Sequence, residues 1–316
     1  MLKKIFFTPP FDSSMDIHMA SKEYLNFYHK LIARAIPANL SIEETRHSFE
    51  HLMDDYPPSP DIRFEPFSIG PLPACWAFAP DCKKHKIVLF FHGGGFNAGS
   101  IHSHSDLIGR ISQASQCAVL AIGYRLAPEH PYPAALDDAM TAYNWLLHHP
   151  FPPSQLALVG ISAGGNLLLS LLLRLKLENA HLPAAGVCIC PWTDLTVSSP
   201  TTKTNEGKDI LHKDRLKEGA EMYCDGKNPK DPYISPLYGD LHGLPPLLVQ
   251  TGTNELLFAE AVALAEKAQK SGVEAALEKW PEMLHAWHLF ASKFPEGKLA
   301  IKSIGDYLQN KLLISH

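Results

Sequence analysis

A chain of 316 residues is long enough for one large α/β domain with insertions, or for two smaller domains. Apolar residues make up 46% and charged residues 19%, which provides for a sizeable core and argues against long disordered tracts. The net charge of −5, without any long basic run, excludes global attraction to nucleic acid or to acidic membranes.

The segment Met1-Leu2-Lys3-Lys4-Ile5-Phe6-Phe7 starts like a secretory signal, but its apolar run stops far short of a signal core. Residues 15–55 read as a helical arm. Tyr24, Phe27, Tyr28 and Leu31 recur on one face at helical spacing, and Ser41-Ile42-Glu43-Glu44 has the spacing of a capping box. Such an arm packs as a lid, as a subunit contact or simply as core. Tyr56-Pro57-Pro58-Ser59-Pro60 breaks the pattern, so the expected division is an arm over residues 1–55 and a body over 56–316.

Residues 62–67 and 75–78 read as strands around a Gly70-Pro71 turn. Residues 86–91 and 118–122 are apolar without alternation, as in strands buried on both faces. A helix is expected over 134–148, a strand up to Ile161, and a leucine-rich helix after Ser162. The greasiest part of that helix, 167–177, contains Arg174 and is too short to span a bilayer. A strand at 185–190, an irregular insertion at about 193–240, a strand at 247–250, a helix at 259–270, a strand at 273–280 and a helix at 298–313 complete the series. Alternating strands and helices predict an α/β fold with a mostly parallel central sheet and helices on both faces.

The six cysteines are scattered and form no disulfide framework. Cys188 and Cys190 stand at strand spacing and read as small buried residues, not as metal ligands. Cys75 and Cys82 could lie near each other without requiring a bond. The expected setting is the reducing cytoplasm, with no stable membrane insertion.

Gly160-Ile161-Ser162-Ala163-Gly164 joins an apolar strand to a helix. Glycines two residues either side of a serine suit a sharp turn that lifts its hydroxyl above the sheet edge. A plain turn with a capping serine is the alternative. Serine is a weak nucleophile at neutral pH, so Ser162 needs a base and the base an orienting acid. Sites in such sheets form beyond the carboxyl ends of strands. Glu255 follows the strand at 247–250, and His285 follows the strand at 273–280. The order serine, acid, histidine is that of an α/β-hydrolase. Among seventeen histidines, His288 is the rival base; Asp194, Asp231 and Glu282 are rival acids. In His92-Gly93-Gly94-Gly95-Phe96 the main-chain N–H groups of Gly93 and Gly94, with that of Ala163, can form an oxyanion hole. The loop matches neither dinucleotide nor P-loop phosphate patterns.

These two motifs flank Tyr124-Arg125-Leu126-Ala127-Pro128-Glu129-His130-Pro131-Tyr132-Pro133-Ala134-Ala135-Leu136-Asp137-Asp138. From about residue 60 onward the set resembles the bacterial hormone-sensitive-lipase family of α/β-hydrolases, which are carboxylesterases. The resemblance implies an eight-stranded hydrolase sheet under a helical cap formed by the arm and the insertion. It implies hydrolysis of short- to medium-chain acyl esters through an acyl-enzyme, with no metal and no cofactor. Ser162 matches the family's nucleophile, His285 its base, and Gly93, Gly94 and Ala163 its oxyanion donors. A homodimer through residues 273–280 is a further implication. Two positions depart from the family's habit. Ile161 stands where aspartate or threonine is common, and Glu255-Leu256-Leu257 stands where many members carry Asp-Pro-Leu, which makes the acid a glutamate. An amidase or deacetylase using the same residues, and a non-catalytic receptor on the hydrolase fold, are the alternatives. His285 alongside Ser162 opposes the receptor.

Overall fold

A computed structural model describes residues 20–33, 40–149 and 151–312. The signal-like start, and the ends of the expected helices at 15–19 and 313, lie outside the described residues. The arm holds two helices, α1 (Lys22–Ile32) and α2 (Ile42–Asp54). The capping box forms at α2: the Ser41 hydroxyl accepts from the Glu44 amide at 3.2 Å, and the Glu44 carboxylate from the Ser41 amide at 2.8 Å.

The body alternates as expected. It runs β1 (Arg63–Ile69), β2 (Leu72–Phe78), β3 (Lys83–Phe91), α3 (Ser105–Ser115), β4 (Cys117–Ile122), α4 (Ala134–Leu147), β5 (Leu156–Ile161) and α5 (Ala163–Leu177). Then come β6 (Ala185–Ile189), α6 (Thr201–Thr204), α7 (Lys213–Cys224), β7 (Leu247–Gly252), α8 (Phe258–Lys270), β8 (Ala275–Trp280) and α9 (Pro295–Leu312). The strands form one eight-stranded sheet in the order β1-β2-β4-β3-β5-β6-β7-β8. β1 and β2 make an antiparallel hairpin that joins β4 antiparallel, and β4 through β8 run parallel. The sequence reading names no helix between the strands at 86–91 and 118–122, where α3 lies. Its sequence mixes serines, Gly109 and Arg110 with a few aliphatic residues, so its apolar stripe is thin. Gly109 matters because a β-carbon there would sit 3.0 Å from Ile62.

The apolar runs are explained by burial on both faces. Along β3, Ile87, Leu89 and Phe91 point into one core, and Val88 and Phe90 into the other. β5 divides likewise, with Leu156 and Leu158 against Ala157, Val159 and Ile161. Residues of α4, α5 and α8 share the first core; residues of α3 and α9 share the second. α5 is apolar nearly all round because it is buried nearly all round. Among the described residues no helix is long and apolar enough to cross a membrane.

Candidate active site

The turn between β5 and α5 is built by close approach. A β-carbon on Gly160 would stand 2.1 Å from the Gly164 carbonyl oxygen, and one on Gly164 would stand 2.1 Å from the carbonyl oxygen of Phe91. No side chain fits at either place. Ser162 between them has φ 57° and ψ −120°, outside the helical and strand regions, as a sharp strand-to-helix turn requires. The strained peptide is held from several sides. The Ser162 amide donates to the Ile189 carbonyl at 2.8 Å, and its carbonyl accepts from Gly165 at 2.9 Å and from Trp192 at 3.1 Å.

The turn after β8 brings His285 to this serine. The Ser162 hydroxyl and His285 Nε2 are 2.9 Å apart, and His285 Nδ1 lies 2.8 Å from Glu255 Oε2. In the neutral tautomer that fits, Nδ1–H donates to the carboxylate and Nε2 accepts from the serine hydroxyl. The other oxygen, Oε1, accepts from the Gly252 amide and from the Thr251 hydroxyl, the latter at 3.1 Å. Glu255 is thus oriented from its own turn and is fully buried. Burial acts to lower the basicity of His285, but the hydrogen bond and charge of Glu255, with the charge of Asp209, hold it above its ordinary value.

One expectation for the oxyanion donors needs correction. The Gly93 amide is committed elsewhere, donating to His104 Nε2 at 3.0 Å. Among the described residues, no protein group accepts from the amides of Gly94, Gly95 or Ala163. Gly94 and Gly95 line the same cavity as Ser162. The donor set that this geometry offers is therefore Gly94, Gly95 and Ala163. Gly94 has φ +112°, and a β-carbon there would stand 2.2 Å from the Ala98 carbonyl oxygen, so only glycine holds this loop. His104 is buried and pushed down to about 3 by burial and by His92 beside it, which leaves Nε2 free to accept the Gly93 amide.

The rival residues are engaged elsewhere. Asp194 accepts from Thr196 and Ser198, Asp231 from the Tyr233 amide, and Glu282 from the Ala20 amide. His288 bonds Gln250 at 2.8 Å, and burial holds it well below its ordinary value. Cys188 within β6 and Cys190 just beyond it are buried, as read from the sequence. Cys190, Glu255 and His285 place ligand-type atoms within 4.8 Å of one another. Burial and the Glu255 charge push the Cys190 thiol well up, which disfavours the thiolate. The other two side chains are already bonded to each other.

Ser162 and His285 open into a cavity of about 220 Å³. The arm contributes Leu31, Ile42, Phe49 and Leu52, and the insertion contributes Ile210, Leu211 and Leu216. Trp192, Leu289 and Phe290 complete mainly apolar walls, and Ile161 lines the floor beside the serine. Several supporting residues escaped the sequence reading. Asp209 accepts amides from residues 47 and 76 positions away, and Tyr24 touches a turn 260 positions away. No local spacing signals contacts of that length.

The sheet order, the glycine-flanked serine turn and the serine–histidine–glutamate row define an α/β-hydrolase. A family model described as alpha/beta hydrolase fold matches residues 88–289. The chain is 37% identical to an acetyl-hydrolase of Streptomyces hygroscopicus, over 89% of this chain and 92% of the relative. It is 32% identical to an esterase of Acinetobacter venetianus, over 85% of this chain and 89% of the relative. A crystal structure of an esterase from the bacterial hormone-sensitive lipase family superposes with a TM-score of 0.90 at 40% identity, covering 93% of this chain and 99% of that one. The chain belongs to this family of α/β-hydrolases, a family of carboxylic ester hydrolases.

Proposed function

We propose that the chain is a serine carboxylesterase that hydrolyses short- to medium-chain acyl esters through an acyl-enzyme. The observation that carries this is the continuous row from Ser162 through His285 to Glu255, opening into an apolar cavity. His285 takes the Ser162 proton as the hydroxyl oxygen attacks the ester carbonyl carbon. The carbonyl oxygen becomes an oxyanion, received by the amides of Gly94, Gly95 and Ala163. Glu255 holds the imidazole in place and stabilises the imidazolium. The intermediate collapses as His285 protonates the departing alcohol, leaving the acyl group on Ser162. Water, activated by His285, then releases the acid.

Supporting the substrate class, the cavity is small and mainly apolar, which suits a short alkyl chain. The test is a matrix of acyl length against leaving group, run on the wild type and on Ser162→Ala. Ser162→Ala should lower kcat on a short-chain aryl ester by up to about 10⁶. Near-normal turnover in that variant overturns the mechanism. Acetyl esters and acetamides belong in the matrix, because the same residues can serve a deacetylase or an amidase and the Streptomyces relative is an acetyl-hydrolase. Reaction only with amides would favour the amidase.

We read the arm and the 193–240 insertion together as the cap, since both line the cavity that holds Ser162. A homodimer is supported by β8, an edge strand with half-buried residues over 275–278, and sedimentation of the purified chain tests it. Six unpaired cysteines suit a reducing compartment such as the cytoplasm, which cell fractionation tests.

A further inference from the structure

The insertion between β6 and β7 sends one carboxylate into the back of the catalytic row. Asp209 is buried, and its two oxygens accept three main-chain N–H groups. Oδ1 accepts from Ile210 at 2.8 Å and from His285 at 2.8 Å; Oδ2 accepts from Leu256 at 2.8 Å. His285 is the base, and Leu256 directly follows the acid Glu255. A single side chain from the cap therefore ties together the two turns that carry base and acid. Asn205, four residues earlier, grips the acid turn from its carbonyl side, donating to Thr253 at 3.0 Å and to Glu255 at 2.8 Å. Neither interaction belongs to the relay of protons.

Among the described residues Asp209 makes no ion pair. The titratable groups that face its charge are His285, Glu255, Cys190, Tyr24 and Tyr28. Only His285 gains a positive charge during the reaction, and it does so as Ser162 gives up its proton. Burial raises the Asp209 carboxyl to about 6, while the charge of His285 and the amides of His285 and Leu256 favour its charged form. Removing a buried acceptor from three amides leaves them unsatisfied in a dry place, which proteins rarely tolerate without a role.

We propose that Asp209 is a positioning residue for the Ser162–His285–Glu255 relay: its carboxylate fixes the acid and base turns in register, and its charge favours the imidazolium formed as Ser162 attacks. This rests on the serine esterase reading above. The cap thereby acts on the chemistry as well as on the pocket, because Asp209 immediately precedes Ile210 and Leu211 in the cavity wall.

Asp209→Asn is nearly isosteric. The amide oxygen can replace one acceptor, but the NH₂ group then faces a main-chain N–H and cannot accept from it. The expected result is a fall in kcat of about tenfold to a hundredfold with KM changed by less than about threefold, as for a loss of geometry at the reacting centre. The acidic limb of kcat/KM against pH should also move down by about half a unit or more, because removing a negative charge makes His285 easier to deprotonate. Asp209→Glu keeps the charge but not the distances. It should lose turnover while keeping the wild-type acidic limb, and it decides the matter alone if Asp209→Asn does not fold. A folded Asp209→Asn with wild-type kcat and pH profile overturns the proposal, as does an Asp209→Glu enzyme with full turnover. Ser162→Ala, assayed alongside, separates the two readings: if it stays active the esterase mechanism fails, whatever the Asp209 variants do.

Discussion

At the level of single residues, the site is an arrangement of committed and uncommitted hydrogen-bonding groups. Each oxygen of Glu255 has partners, and the Gly93 amide is taken by His104, so the donors left over are those of Gly94, Gly95 and Ala163. In the proposed mechanism the working state of His285 is neutral, because a protonated imidazole cannot take the serine proton. Its basicity is held above the ordinary value of 6.5 by Glu255 and Asp209 acting against burial. Activity should therefore decline on acidification with a midpoint above 6.5, and kcat/KM measured from pH 5 to 9 checks it. A rate unchanged between pH 8 and pH 5 contradicts the assignment. Ile161 has a plainer role than its departure from family habit suggests. Its side chain is fully buried in the core and also lines the cavity, so its role is packing beside Ser162.

At the level of elements, the arm is joined to the body by directional contacts from both of its helices. Arg46 on α2 carries much of this. Its Nε donates to the Asn97 carbonyl at 2.7 Å, and one terminal nitrogen to the Ala127 carbonyl at 2.9 Å. Both terminal nitrogens pair with Glu129, each at 2.7 Å. Asn97 follows the glycine loop, and Glu129 follows the Tyr124-Arg125-Leu126-Ala127-Pro128 stretch, so this clasp holds α2 over the oxyanion side of the cavity. Releasing it should loosen the wall formed by Ile42, Phe49 and Leu52 without touching the proton relay. Arg46→Ala should raise KM for short esters by about threefold to tenfold and change kcat less. A fall in kcat with KM unchanged would show that the clasp acts on the chemistry instead.

At the level of the whole molecule, buried titratable groups set the response to acid. His92, His104 and His288 lie below their ordinary values because burial disfavours their charge, with His92 at about 4 and His104 at about 3. Asp209 and Glu260 lie above theirs for the same reason. Between pH 6 and pH 4.5 the unfolded chain binds protons on three imidazoles that the folded chain keeps neutral, while the folded chain favours protons on two carboxyls and, less so because an unfolded histidine is already largely protonated there, on His285. The balance leaves the unfolded chain with more bound protons, so stability falls as pH falls through this window. Glu129, held at about 2 by Arg46, adds to the loss at lower pH. The unfolding temperature should be lower at pH 4.5 than at pH 6, and an equal or higher value contradicts this balance.

How much of this was legible in the sequence follows from what each feature is made of. Strands buried on both faces leave unbroken apolar runs, and the turn at Ser162 leaves glycines where side chains would collide, so the sheet and that turn could be read. Glu255 and His285 could be read because they follow strands in order. The Gly93 amide could not be assigned, since its partner His104 lies across a loop whose path the sequence does not reveal. Asp209 was hidden more completely. It sits in an irregular stretch and bonds main-chain amides, which carry no residue identity to recognise.

Tyr24 on α1 links the arm to the base turn: its hydroxyl donates to the Glu282 carbonyl at 3.0 Å and accepts from the Leu284 amide at 2.9 Å. These groups are separated by some 260 residues of chain, so the arm leaves the ribosome long before its docking surface exists. During synthesis α1 must wait, its apolar face unburied, until β8 has joined the sheet and the turn bearing His285 has formed. The last strand to be made thus seats both His285 and the first helix, and a nascent chain halted before it would hold Ser162 without the histidine that bonds its hydroxyl.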